Sequence, residues 1–214
     1  MATDARRKRS ESLKEVVTTT LVRGGATRLV FLNVAASGAA GLVLVWTHQK
    51  YWQESAVPLA YFGVLYATYN LLVGLAGRCA GAAAARYGRR PLLAAVGTLP
   101  IVVCVGMASF VGWGGIALGA VMQMSRGVGS VLFMTALNEK LSSAFRATVI
   151  SMAQLCTRAS FALLGPLVGY GIDAWGLPSV LLALGVLFSV TFTCLLLPLI
   201  LRETALSPAA ELRA

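Results

Sequence analysis

The chain has 214 residues, of which 57% are hydrophobic and only 12% are charged, and its mean hydropathy is +0.77. Soluble domains carry about 25% charged residues, so this composition excludes a water-soluble core and indicates that a lipid bilayer is the solvent. The net charge of +10 would suggest a nucleic-acid partner in a soluble protein, but the positions of the basic residues argue for no nucleic acid here.

The first 26 residues are polar and basic, and they are predicted to form a cytoplasmic leader before a transmembrane domain at 27–203 and a cytoplasmic tail at 204–214. The leader has no short apolar core followed by a cleavage site, so the first apolar span is expected to act as an uncleaved signal-anchor. Residues 13–21 place apolar side chains at helical spacing, which is typical of a short amphipathic helix on the membrane surface. A disordered basic leader explains the same residues equally well.

Six stretches of about 20 apolar residues follow the leader, and each is long enough to cross a bilayer as a helix. Their predicted bounds are 28–47, 57–78, 91–111, 115–137, 147–171 and 179–201. The connections between them are short, so neighbouring helices must run antiparallel. The predicted fold is therefore an all-α membrane protein with six transmembrane helices.

The basic residues are distributed unequally between the two sides of these spans. Fifteen of the 18 Lys and Arg residues lie on one side: in the N-terminal segment as far as Arg28, in or at the edge of the second and fourth connections, or from Arg202 onward, whereas the opposite connections carry only Lys50. Because short cytoplasmic loops are enriched in Lys and Arg, both termini are predicted to lie in the cytoplasm, with the chain in the cell inner membrane. Aromatic residues fall at the predicted outer helix ends, at Tyr51, Trp52, Trp113 and Trp175. His48 is interpreted as an interfacial residue at one of these ends.

Glycines recur at a fixed offset in the two halves of the apolar region. The set Gly77, Gly81, Gly88 and Gly97 is followed 88 residues later by Gly165, Gly169, Gly176 and Gly185. An aromatic residue precedes the glycine both at Gly88 and at Gly176. A unit of three helices changes direction when it is repeated, so the pattern predicts two inverted three-helix repeats.

Three stretches resemble the C-terminal half of a major facilitator superfamily transporter. Residues 85–91, Ala-Arg-Tyr-Gly-Arg-Arg-Pro, are similar to the family's cytoplasmic loop motif Gly-x-x-x-Asp-Arg-x-Gly-Arg-Arg, with Ala85 in place of the aspartate. Residues 137–148 resemble the acidic residue and Arg-Ala pair before the family's eleventh helix, and residues 165–176 resemble the outer end of that helix. The resemblance implies half of a twelve-helix fold.

The family resemblance implies a secondary active transporter of a small solute that works by alternating access. It also implies that the cavity is completed by a complementary six-helix half or by a second copy in a homodimer. A non-transporting membrane scaffold or assembly protein, an inactive fragment and a passive channel are alternatives. No nucleophile–base set, phosphate loop or metal-ligand spacing occurs in the sequence, so it predicts neither an enzyme nor a cofactor or metal site.

Two arginines lie deep within predicted spans. Arg126 is near the middle of the fourth span, and Arg158 lies about 18 Å into the fifth. A charge at that depth costs about 3 kcal/mol or more, so it usually faces a cavity or a partner. The resemblance places the first and fourth helices around the substrate, which implies a site for an anionic or polar group formed by Arg126, Gln123 and Asn33. Arg158 is a further substrate-binding candidate, and either arginine could instead pair with a carboxylate of the missing half.

A second group of charges lies at the predicted cytoplasmic ends of the helices. Glu139 and Arg146 flank the turn between the fourth and fifth spans, and they can pair with each other or with Arg89 and Arg90 beyond Gly88. A pair made in only one transport state would act as a latch at a cytoplasmic gate. The alternative is that these are solvated loop charges worth under about 1 kcal/mol.

Overall fold

The computed structural model describes residues 25–110, 112–141 and 143–205. Within these residues, six helices are long and apolar enough to cross a membrane, which confirms the predicted number of spans. The amphipathic segment predicted at 13–21 lies outside the described residues, as do most of the leader and the tail.

The helices extend beyond the predicted spans at most of their ends. In chain order they are α1 Gly25–Glu54, α2 Phe62–Tyr87, α3 Arg89–Ser109, α4 Trp113–Lys140, α5 Ser143–Trp175, α6 Leu177–Thr191 and α7 Leu197–Ala205. A π-helical turn at Phe192–Leu196 joins α6 to α7, and together these three segments make the sixth crossing. Hydropathy detects only the apolar part of each helix, whereas the backbone continues its hydrogen bonding into the polar ends.

Two of the repeated glycines end helices in the same way. Gly88 follows α2 with φ of 86°, and Gly176 follows α5 with φ of 78°. Each donates its N–H to the carbonyl four residues earlier, to Ala84 at 3.0 Å and to Ile172 at 2.9 Å. Glycine adopts positive φ at little steric cost, so the next helix can begin after a single residue.

The centre of the bundle is formed by α1 and α4. Helix α4 packs against α1, α2 and α3, whereas α1 packs against α4, α5 and the sixth crossing. Helix α3 packs against α6. The central pair is the most buried, and α2 and α5 leave most of their surfaces exposed.

The aromatic residues at the predicted outer ends divide into an exposed and a buried group. Trp113 and Trp175 are exposed, whereas Tyr51, Trp52 and His48 are buried. The interpretation of His48 as an interfacial residue is therefore wrong: helix α1 continues to Glu54 and buries these side chains against its neighbours. The ring centroid of Tyr69 on α2 lies 5.4 Å from that of His48 and 5.3 Å from that of Trp52.

Candidate functional site

A cavity of about 340 Å³ lies between α1 and α4 and is lined by residues from all six membrane-crossing helices. Most of the lining is small or apolar. Its polar members are Asn33, Ser37, Ser125, Arg126, Ser130, Gln154 and Thr191. A few polar groups in an otherwise apolar, concave space are typical of a small-molecule site.

Arg126 is the charged residue of this cavity lining. It lies about 20 Å from either end of α4, at 1.5 Å per residue. Its side chain is half-buried, and its Nε atom is buried without a hydrogen-bond partner in the described part of the chain. Room for the side chain comes from Gly41 of α1, where a Cβ would lie only 3.0 Å from Cδ of Arg126. The Arg126 guanidinium therefore lies at the wall of the cavity, and its Nε–H donates no hydrogen bond to a described group.

Asn33 and Gln123, which were predicted to form the site with Arg126, have different environments. Asn33 lines the cavity, but its Nδ2 donates hydrogen bonds to the carbonyls of Leu29 at 2.8 Å and Leu195 at 2.9 Å. Leu195 belongs to the π-helical turn, where the wider turn leaves a carbonyl for α1 to bind. Gln123 is buried outside the cavity lining, and its Oε1 has no hydrogen-bond partner among the described residues.

Arg158 is not brought together with Arg126. It lies on an exposed face of α5 and does not belong to the cavity lining, whereas Gln154, one turn earlier, does. The neighbouring Thr157 is buried and fixes α5 against α1, because its Oγ1 donates to the carbonyl of Ala35 at 3.3 Å. Arg158 therefore does not share a site with Arg126.

Among the predicted gate residues, Glu139 pairs with Arg89 rather than with Arg146. The Arg89 guanidinium donates two hydrogen bonds to the two carboxylate oxygens of Glu139, one of them at 2.8 Å, and this joins the start of α3 to the end of α4. Arg146 instead lies 3.4 Å from the backbone carbonyl of Asn138. Gly88 provides the helix junction that places Arg89 and Arg90 at this end of the bundle. Both side chains of the Arg89–Glu139 pair are largely exposed, so it contributes under about 1 kcal/mol to stability.

A buried polar group beside the cavity was missed by sequence reasoning. The imidazole of His48 packs against Gly119 of α4, where a Cβ would lie 2.8 Å from Nε2, and this atom has no hydrogen-bond partner among the described residues. Next to it, the Tyr69 hydroxyl donates to the carbonyl of Ile116 at 2.6 Å. The available signal was the pair Gly115 and Gly119, since small residues four apart let a neighbouring helix approach closely.

Comparison of the chain with protein-family models, with curated proteins and with solved structures finds no match in any of the three. A functional interpretation therefore rests on the geometry of the cavity and on the pattern of the sequence.

Proposed function

We propose that this chain is one six-helix half of a secondary transporter of the major facilitator type, and that it binds an anionic small solute through Arg126. The observation that carries the proposal is a half-buried guanidinium at the wall of the central cavity, about 20 Å from either end of its helix. A charge at that depth costs about 3 kcal/mol or more unless something compensates it. A carboxylate or phosphate would do so, because a planar guanidinium binds either one through two parallel hydrogen bonds.

The way the helices pack supports an inverted repeat. When α1 is exchanged with α4, α2 with α5 and α3 with α6, the contact of α2 with α4 becomes the contact of α5 with α1. Individual contacts follow the same exchange. Gly97 packs against Phe192. Gly185 lies 88 residues after Gly97 and Cys104 lies 88 residues before Phe192, and these two residues also pack together. Transporters built from such repeats hold their substrate near the bilayer midplane at the repeat interface, which corresponds to the cavity between α1 and α4.

The Arg89–Glu139 pair has the placement of a cytoplasmic latch. It joins α3 to α4, which belong to different repeats, and it is weak enough to break during a transport cycle. Gly88, Arg90 and Arg146 border the same end of the bundle. In this proposal the pair forms in one state of alternating access and opens in the other.

The test is counterflow in vesicles. The chain, with any partner that remains bound on extraction from native membranes, is reconstituted after small carboxylates, phosphate and phosphate esters have been screened for raising its melting temperature. A ligand that binds only the folded protein stabilises it by about 2.7 kcal/mol at 100 times its Kd, so binders are detectable. Uptake of the best binder should saturate and should accelerate when the vesicles contain the same anion. Flux that does not saturate would indicate a channel, and a stable complex without flux would indicate a scaffold.

The proposed orientation, with both termini in the cytoplasm, predicts opposite labelling of two alanines. Ala60 precedes α2 and Ala85 lies near its end, and both are exposed. In a chain whose four natural cysteines are changed to alanine, a membrane-impermeant thiol reagent added outside intact cells should modify Ala60→Cys. It should spare Ala85→Cys until the cells are opened, because the positive-inside rule places that end in the cytoplasm. The reverse pattern would contradict the orientation.

A further inference from the structure

The exposed surface of α5 is divided into two faces of different composition. One face, here named the Arg158 stripe, carries exposed residues three, four or seven positions apart, namely Ser151, Gln154, Arg158, Ala162 and Gly169. It has no large apolar side chain among these positions. Leu155, which is 68% exposed, borders the stripe, because it lies three residues before Arg158 and seven before Ala162, and the apolar face continues from it to Leu163 and Tyr170, which are 72% and 68% exposed. Lipid contact explains the second face, but not the first.

Arg158 lies at the centre of α5, about 22 Å from its first residue and about 25 Å from its last. Facing lipid there, its charge would cost about 3 kcal/mol or more. No ion pair connects it to Glu54, Glu139 or Asp173, and these three acidic residues, like Glu203, lie near helix ends in the described part of the chain. Even Asp173, on the same helix, is 15 residues away, which is about 22 Å along the axis. Compensation for Arg158 must therefore come from outside the described chain.

We propose that the Arg158 stripe docks a membrane-spanning helix of a different protein chain, and that this helix carries a carboxylate at the bilayer centre opposite Arg158. The proposal takes from the proposed function the idea that a second half exists, but its own basis is the charge on α5. Charge complementarity argues against a second copy of this chain, since its stripe would bring another arginine to the same depth.

The shape of the stripe fits close approach by a helix. Ala162 and Gly169 keep this part of α5 narrow, and a Cβ built at Gly169 would meet no atom within 4 Å. Small residues at such spacing let two backbones pack together in a membrane. Because Gln154 belongs both to the stripe and to the cavity lining, the docked helix would border the cavity that contains Arg126.

The test is photo-crosslinking in native membranes. A photoreactive phenylalanine analogue replaces Ala162 on the stripe or, as the matched control, Leu163 on the apolar face. Two copies of the chain with different tags are expressed together, so that a trapped second copy is recognised by its other tag. We expect Ala162 to trap a polypeptide without either tag and Leu163 to trap none. The trapped peptide should come from a membrane-spanning helix with an Asp or Glu near its centre.

Dependence on Arg158 distinguishes docking from chance proximity. Arg158→Leu should reduce the crosslinked product at least about tenfold, Arg158→Lys should retain it, and Arg126→Ala should leave it unchanged. Arg158→Glu should lose the product and regain it when the partner's carboxylate is changed to Lys, which shows that the variant still folds. A crosslinked product that contains both tags, or no crosslinked product at Ala162, overturns the proposal. So does a trapped partner without a central carboxylate, or a crosslinked product whose amount does not change in Arg158→Leu. Failure of anion counterflow alone would overturn the proposed function and leave this docking intact.

Discussion

Under the proposed function, Arg126→Ala is expected to abolish uptake of the anionic solute while the amount of folded protein in the membrane stays near the wild-type level. Arg126 forms no ion pair with a described carboxylate, so removing this cation from the middle of α4 relieves a cost to insertion and the fold should not suffer. The solute, in contrast, loses a charged donor that can make two hydrogen bonds, each worth about 1.5 to 3 kcal/mol. Its affinity should therefore fall about 100-fold or more. Equilibrium binding and uptake, both normalised to folded protein, measure this loss.

Arg126→Lys should restore binding only in part, because an ammonium keeps the charge but lacks the planar fork that holds two oxygens at once. Arg78→Ala is the matched control, since Arg78 is an exposed arginine of α2 that lies outside the cavity lining and before the loop motif at 85–91. It should change neither binding nor uptake. If Arg126→Ala lowered the amount of folded protein while uptake per folded molecule stayed normal, Arg126 would be a structural residue and not a binding residue.

The number and order of the helices could be predicted from the sequence because hydropathy and length are local properties of each span. The depth of Arg126 follows from the same count of residues. The rotation of each helix about its axis is not local, however, and it decides which side chains reach the cavity. Gln123 is only three residues from Arg126, yet it is buried outside the cavity lining. Asn33 uses its amide nitrogen on Leu195, 162 residues away, at a π-helical turn that the sequence did not indicate.

The burial of side chains at the end of α1 also depends on contacts between helices that the local sequence does not reveal. Tyr51, Trp52 and His48 have the composition of an interfacial belt, but Trp52 packs against Tyr69 of α2, and glycines of α4 make room for Tyr51 and His48. A Cβ at Gly115 would collide with the Tyr51 ring, and one at Gly119 would crowd His48. For the predicted gate, the sequence left three possible partners for Glu139, namely Arg89, Arg90 and Arg146. The structure selects Arg89 because Gly88 starts α3 immediately after α2 and so brings Arg89 to the end of α4.

Gly127→Val is expected to disrupt the fold, because α2 and α4 touch backbone to backbone at this position. A Cβ at Gly127 would collide with the carbonyl oxygen of Val73 and lie 3.0 Å from the carbonyl carbon, and Gly77 of α2 faces Gly127 across the same crossing. A flexible side chain could move aside, but the backbone of Val73 can yield only by separating the two helices. Overpacking of a core usually costs about 1 to 3 kcal/mol, and the rigidity of this contact places the cost at or above the upper end. The melting temperature of the purified protein and the yield of monodisperse protein on gel filtration measure it.

Gly74→Val is the matched control for this substitution. Gly74 is also a glycine within an apolar helix, but a Cβ built there would meet no atom within 4 Å. Both variants gain the same apolar side chain and the same change in helix propensity, so they differ only in what the new side chain meets. We expect Gly74→Val to keep the wild-type melting temperature and Gly127→Val to lose it, together with anion binding, since Gly127 follows Arg126 directly and a displaced α4 would move the guanidinium. Equal melting temperatures of the two variants would contradict the close backbone contact between α2 and α4 at Gly127.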